Sequence, residues 1–120
     1  MTFELDNMYC GAIKRGDIFL VSFSGKEQAV VVLQDSILNE RLGTVIAVPI
    51  ESYKHGQKIF KNEVLLKEKE TGFGEAGICM LHKLQPVNRT QMVAKKGEVT
   101  KEKLQELYAA LDVNLGRFRD

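Results

Sequence analysis

Apolar runs alternate with glycine-rich and charged stretches along the chain. Asp17–Phe23 (DIFLVSF) is rich in β-formers between Gly16 and Ser24-Gly25, which predicts a strand and a turn at Ser24–Lys26. Ala29–Gln34 (AVVVLQ) is a second strand whose unbroken apolar character predicts burial on both faces and a central place. Asp35–Gly43 is a polar connector with room for one helical turn. Thr44–Ile50 (TVIAVPI) is a third strand; Pro49 cannot donate to a ladder, so it marks an edge, a bulge or the strand's end. Glu51–Asn62 is a long polar loop interrupted by Ile59 and Phe60. Glu63–Lys67 predicts a fourth strand, Glu68–Gly77 a glycine-rich turn, Ile78–Val87 a fifth strand bent by Pro86, and Arg89–Gly97 a short sixth strand and turn. Met1–Gly11 lacks periodicity and reads as a lead-in.

The end of the chain changes period. Thr100 is a candidate N-cap, and Leu104, Leu107, Tyr108 and Leu111 fall at i, i+3, i+4 and i+7, one apolar stripe on a helix. Gly116 is a natural stop, with an earlier end near Asn114 left open. Short strands with one terminal helix predict a mainly β fold, a small partly closed barrel or sandwich, the helix covering one open end or face.

The 120 residues suit one domain. With 17 basic and 16 acidic residues the net charge is +1, so bulk charge points to no nucleic-acid partner and leaves only a local patch. Cys10 and Cys79 lie far apart without CxxC spacing and read as reduced thiols, Cys79 buried. No apolar run approaches the ~20 residues of a membrane span, and the N-terminus, with Glu4 and Asp6, lacks a signal-peptide core. These features predict a cytoplasmic protein without membrane contact.

Chemical signals are sparse. Arg15-Gly16-Asp17 matches the cell-adhesion tripeptide, but a turn entering a strand explains it, with Arg15 free to face a ligand. His55 and His82 are the two histidines; no HxxxH, HExxH, P-loop, GxGxxG or Ser/His/Asp order occurs, and no carboxylate spacing suggests a metal. His82 is either a surface residue at a strand end or a general acid or base. Lys14, Arg15, Lys26, Arg41, Lys83 and Arg89 are a solvated surface by default, or a phosphate-tracking groove if the fold gathers them. The terminal helix packs on its own barrel by default and docks a partner otherwise. Read by themselves, the residues define a class of structure without an activity.

The order of features from Lys14 to Gly116 resembles the MazF/PemK family of toxin ribonucleases. The matching pieces are RGDIFLVSF, then AVVVLQDS with Gln34, then Asn39, TVIAVPI, EVLL (Glu63–Leu66), Gly72-Phe73, LQPV (Leu84–Val87) and the helix ending in Leu115-Gly116. The resemblance implies an SH3-like, plasmid-maintenance-toxin β-barrel with a C-terminal helix over residues 14–120, after a lead-in of residues 1–13. It implies a homodimer and a toxin of a type II toxin–antitoxin pair. Such a toxin cuts single-stranded RNA without metal or cofactor, the 2′-hydroxyl attacking its own phosphate. The cognate antitoxin's acidic, disordered tail lies over the RNA site, as an acidic peptide suits a groove built for a polyanion.

Two positions depart from the family. Its Arg before the second strand, which stabilises the charged transition state, is Gln28 here. Its Thr or Ser after the third strand is Glu51, with Ser52 next. Losing one such donor costs on the order of 100- to 1,000-fold in rate, because an amide does not offset a phosphorane's charge as a guanidinium does. By alternation Lys26 shares a strand face with Gln28 and is a replacement cation, while Ser52 points opposite to Glu51. Catalytic candidates are therefore Lys26, Gln28, Glu51, Ser52 and His82: Lys26 or Arg15 on phosphate, Glu51 or His82 as base or acid, Gln28, Ser52 and Gln34 for positioning. Arg15, Gln34, Arg41 and Lys83 are candidates for RNA binding. Two readings remain: a working ribonuclease with a rearranged site, or a non-catalytic member that engages an antitoxin or nucleic acid through the same groove.

Overall fold

The computed structural model describes residues 8–117; the expectations placed on Glu4, Asp6 and the rest of residues 1–7 lie outside the described residues. Among the described residues seven strands make one antiparallel sheet: β1 (Asp17–Phe23), β2 (Lys26–Val32), β3 (Thr44–Ser52), β4 (Glu63–Leu66), β5 (Gly77–Met80), β6 (Gln85–Asn88) and β7 (Met92–Glu98). Their order is β4-β5-β3-β2-β1-β7, with β6 also on β3. The two end strands, β4 and β7, are not paired with each other, so the sheet curls without closing. Among the described residues three α-helices join the sheet: α1 (Ser36–Arg41), α2 (Glu68–Thr71) and α3 (Lys101–Leu115). Among the described residues no helix is long and apolar enough to cross a membrane.

The central strands are buried on both faces, as their apolar runs predict. Ile18, Val31, Val48 and Ile50 enter one cluster with Cys79 and Leu81, and α3 lays Leu107 and Ala110 on it. Their neighbours Phe19, Val21, Val30, Val32, Val45 and Ala47 enter a second cluster with Val87 and Met92. Odd and even positions thus fill two cores. The second core draws on the lead-in: Ile13 is buried in it, the Tyr9 ring meets Phe19 edge-on at 4.8 Å, and Tyr9 N–H donates to Met92 O at 2.8 Å.

Several boundaries differ from the sequence reading. β2 begins at Lys26, because Ser24 and Gly25 both take positive φ (50° and 85°), the tight hairpin geometry that lets pairing start at Phe23↔Lys26. β3 runs on to Ser52. The expected fifth strand is broken: β5 and β6 both pair with β3, but the 3-10 turn Leu81–Lys83 bulges out between them. The break falls opposite Val48 and Pro49, where the proline has no N–H to offer a ladder. The expected sixth strand starts later, after a 3-10 turn at Arg89–Gln91. Part of the expected glycine-rich turn is α2, ended by Gly72 at φ 77°; a Cβ on Gly72 would collide with the Lys96 carbonyl of β7.

Gln34, Asn39 and Arg89 hold the segment around α1. Gln34 Nε2 donates to Asn39 Oδ1 and to Thr44 O, both at 2.9 Å. Asn39, fully buried, donates through Nδ2 to Ile13 O and Gln34 O at 3.1 Å. Arg89 donates to Asn39 O at 2.8 Å and Gly11 O at 3.2 Å. At the other end of the chain, Thr100 Oγ1 accepts from Lys103 N–H at 3.1 Å, and Gly116 closes α3 in the left-handed conformation, the caps expected there.

Candidate active site

β2 and β3 pair from Val32↔Ala47 to Ala29↔Ile50 and then part. β2 continues with β1 as far as Lys26, and β3 continues with β5 to Ser52↔Gly77. A cleft of about 380 Å³ opens at the divergence, lined by Leu20, Glu27 and Gln28 of β1 and β2, by Ile50, Glu51 and Ser52 of β3, and by Thr71, Phe73, Glu75 and Gly77 from the segment that runs from α2 into β5. Gly77 permits the close approach, since a Cβ there would strike the Ile50 side chain. The far wall is fixed by Thr71, which is buried: its Oγ1 donates to Glu75 O at 2.7 Å and accepts from Phe73 N–H at 3.2 Å.

Gln28 stands at the fork. Its Nε2 donates to Ala29 O at 2.9 Å and Ile50 O at 2.7 Å, capping the ladder where the strands separate. Both amide protons are thus committed to backbone, and Oε1 is the atom left for a ligand to meet. Glu51 and Ser52 point to different partners, as alternation predicts. Glu51 Oε1 meets Lys83 Nζ at 2.9 Å, both side chains about half exposed, while Ser52 Oγ donates to Glu75 Oε1 at 3.4 Å.

The structure therefore brings together Gln28, Glu51 and Ser52, and adds Lys83 through Glu51. Lys26 stays exposed at the hairpin and Glu27, not Lys26, lines the cleft. His82 is exposed on the Leu81–Lys83 turn and does not line it. Arg15, Gln34 and Arg41 lie at the opposite end of the three central strands. Arg15 N–H donates to Ser36 Oγ at 2.9 Å and its guanidinium covers the Tyr108 ring at 5.9 Å. Gln34 is spent on α1, and Arg41 ends that helix exposed. Glu27, Thr71, Phe73 and Glu75 escaped the sequence reading. The Gly72-Phe73 turn was their one signal, but nothing local says it folds back over β3.

The cleft walls carry three carboxylates, Glu27, Glu51 and Glu75, and no basic side chain. Lys83 is the ammonium at its rim. Among the described residues no group of three or more His, Cys, Asp or Glu is placed to hold a metal ion. Cys79, on β5 behind the cleft, is no nucleophile. Burial pushes its thiol up to about 12, with Lys103 pulling it down and Glu70 pushing it further up.

Comparison with known proteins agrees with this architecture. Residues 14–115 match the family model described as the PemK-like, MazF-like toxin of type II toxin–antitoxin systems. A curated relative, the endoribonuclease MazF of Staphylococcus epidermidis, is 27% identical over 111 residues, covering 87% of this chain and 92% of that protein. Among solved structures, a mycobacterial endoribonuclease in complex with its cognate antitoxin superposes with a TM-score of 0.76 at 16% identity, covering 88% of this chain and 96% of that one. The MazE–MazF complex of Deinococcus radiodurans gives 0.73 at 21% identity, covering 89% and 98%. At such identities the structures speak for the fold, and the family match over most of the chain speaks for kinship. The chain belongs to the PemK-like, MazF-like toxins of type II toxin–antitoxin systems.

Proposed function

We propose that this toxin is an endoribonuclease that cuts single-stranded RNA in the cytoplasm without a metal or cofactor, acting as a homodimer and restrained by an acidic antitoxin segment. One observation carries this reading: the two positions where the family keeps its active Arg and Thr, Gln28 and Glu51 with Ser52, meet in the cleft where β2 and β3 part. Related endoribonucleases solved with their antitoxins support the choice of partner.

The cation falls to Lys83. Glu51 takes the proton of the ribose 2′-hydroxyl, and that oxygen attacks the adjacent phosphorus. The P–O5′ bond breaks, and the leaving oxygen takes a proton from the Lys83 ammonium, which also offsets the charge of the phosphorane. Glu51 then returns its proton to Lys83 across their 2.9 Å contact. The products are a 2′,3′-cyclic phosphate and a 5′-hydroxyl. Gln28 Oε1 accepts a hydrogen bond from the bound nucleotide, and Ser52 and Glu75, hydrogen-bonded to each other, shape the cleft wall.

The test is cleavage of a long single-stranded RNA in EDTA by the wild type, Glu51→Ala and Lys83→Ala. Cleavage by the wild type, with cyclic phosphate ends and a loss of about 100-fold or more in each variant, supports the reading. RNA left intact by folded wild-type protein overturns it in favour of a toxin-fold protein that binds without cutting.

A further inference from the structure

The loop between β3 and β4 has a composition unlike the rest of the chain. Residues 52–62 hold three lysines, Lys54, Lys58 and Lys61, two aromatics, Tyr53 and Phe60, and no Asp or Glu. All three lysines are exposed, and none has an ion-pair partner among the described residues. In a chain of net charge +1, such a local surplus is a polyanion footprint.

The loop is built and aimed. It leaves the cleft wall at Ser52, and Tyr53 N–H donates to Ala76 O of that wall at 3.2 Å. Residues 54–57 make a turn around Gly56, at φ 84°, closed by Gln57 N–H to Lys54 O at 2.8 Å and Lys54 N–H to Gln57 Oε1 at 3.1 Å. The far end is pinned as well: Phe60 N–H donates to Glu63 Oε1 at 2.9 Å, and Asn62 Nδ2 donates to Asn114 Oδ1 of α3 at 3.2 Å. Between these anchors Phe60 is 55% exposed, with Lys58 Nζ 5.2 Å from its ring centroid. An exposed phenyl ring beside an ammonium, on a loop that carries two more, is the combination that stacks a base while holding its phosphates.

We infer that loop 53–62 is a binding platform for single-stranded RNA, with Phe60 stacking a base and Lys54, Lys58 and Lys61 holding the phosphates beside it, so that the strand runs from this loop into the cleft. The identity of the strand rests on the ribonuclease reading. The platform also answers an electrostatic problem of that reading, since the acidic cleft attracts no polyanion by itself. The flanking nucleotides supply the attraction on the loop, and one phosphate alone meets the carboxylates.

Binding of a fluorescent 2′-O-methyl RNA, which has no free 2′-hydroxyl and is not cut, is to be measured by anisotropy over a salt series. Phe60→Ala should weaken it roughly tenfold, the loss of one stacked base, while Phe60→Trp restores it. Lys58→Ala and Lys61→Ala should each lower the slope of log affinity against log salt by about 0.7, with unchanged melting curves. Wild-type affinity and slope in all three alanine variants would overturn the platform. So would a polyglutamate peptide that binds as tightly as RNA and is weakened equally by Phe60→Ala, which would make the loop an acidic-peptide site. The two readings separate cleanly. Loop variants that bind like a wild type able to cleave RNA sink the platform alone. A wild type that binds through the loop yet never cleaves sinks the nuclease and leaves the platform standing.

Discussion

Lys83 Nζ lies 2.9 Å from Glu51 Oε1, joining the turn that separates β5 from β6 to the end of β3. Both side chains are about half exposed, so the pair contributes under ~1 kcal/mol to folding. In the proposed mechanism its weight is in chemistry. Lys83→Ala and Glu51→Ala should leave the melting temperature within a few degrees of wild type and slow RNA cleavage about 100-fold or more. The double variant should be little worse than either single one, since each disables the same proton exchange. Rates from single-turnover gels, set beside thermal melts, check this; additive losses would show two independent roles.

Gln28 gives the opposite signature. Gln28→Met keeps the length of the side chain and removes the donor that satisfies Ala29 O and Ile50 O. Unfolding in urea should show a loss of about 1–3 kcal/mol. An unchanged midpoint would mean that the fork between β2 and β3 closes without help.

Asn39 is remote from the cleft and fully buried. Asn39→Ala strips Ile13 O and Gln34 O of their donor and Gln34 Nε2 of an acceptor. It should destabilise the protein by about 3 kcal/mol or more, while the folded fraction cleaves RNA at the wild-type rate. A selective loss of activity at full stability would instead place Asn39 in the reaction.

The sequence reading had this residue and Gln34 as family landmarks, and Gln34 as an RNA contact. Their hydrogen bonds assign them to architecture: they tie α1 and the lead-in to the start of β3. A polar residue kept for a ligand and one kept to satisfy buried backbone look alike in a string of letters. β1, β3 and α3 were legible because runs of β-formers bounded by turn residues, and a capped apolar stripe, are local signals, although β3 runs past Pro49 to Ser52. The break between β5 and β6 was not, because its cause, Pro49, sits on the neighbouring strand. The cleft was half legible. Gln28 and Glu51 were singled out from one continuous stretch of resemblance, whereas Glu75 and Phe73 arrive from a distant segment that only the fold brings across.

Stability should fall in alkali. The Lys95 ammonium, 31% exposed, lies 3.3 Å from the buried Asp17 carboxylate. Burial opposes its charge, but the hydrogen bond and charge of Asp17, then Glu98 and Tyr9, outweigh it and lift the amine above its ordinary 10.5. A group raised on folding adds stability that is fully present below its unfolded value and is lost as pH climbs through its folded one. Urea midpoints should therefore hold below pH 10.5 and drop beyond it, with the drop reduced in Lys95→Met.

Thiol labelling should distinguish the two cysteines. Cys10 is exposed, while Cys79 is buried, with its thiol pushed up to about 12. A chromogenic disulfide at pH 8 should titrate one thiol per native chain and two in denaturant. Two fast thiols in the native state would show that β5 opens readily.

Gly72 ends α2 with its backbone against the Lys96 carbonyl of β7, and Thr71 and Phe73 on either side of it line the cleft. The two unpaired rims of the sheet are thereby clasped at a point that is also the floor of the cleft. Loosening the outermost strand would tilt that floor, so a lesion in β7, with no residue near the phosphate, would be felt as slower turnover before any melting was seen.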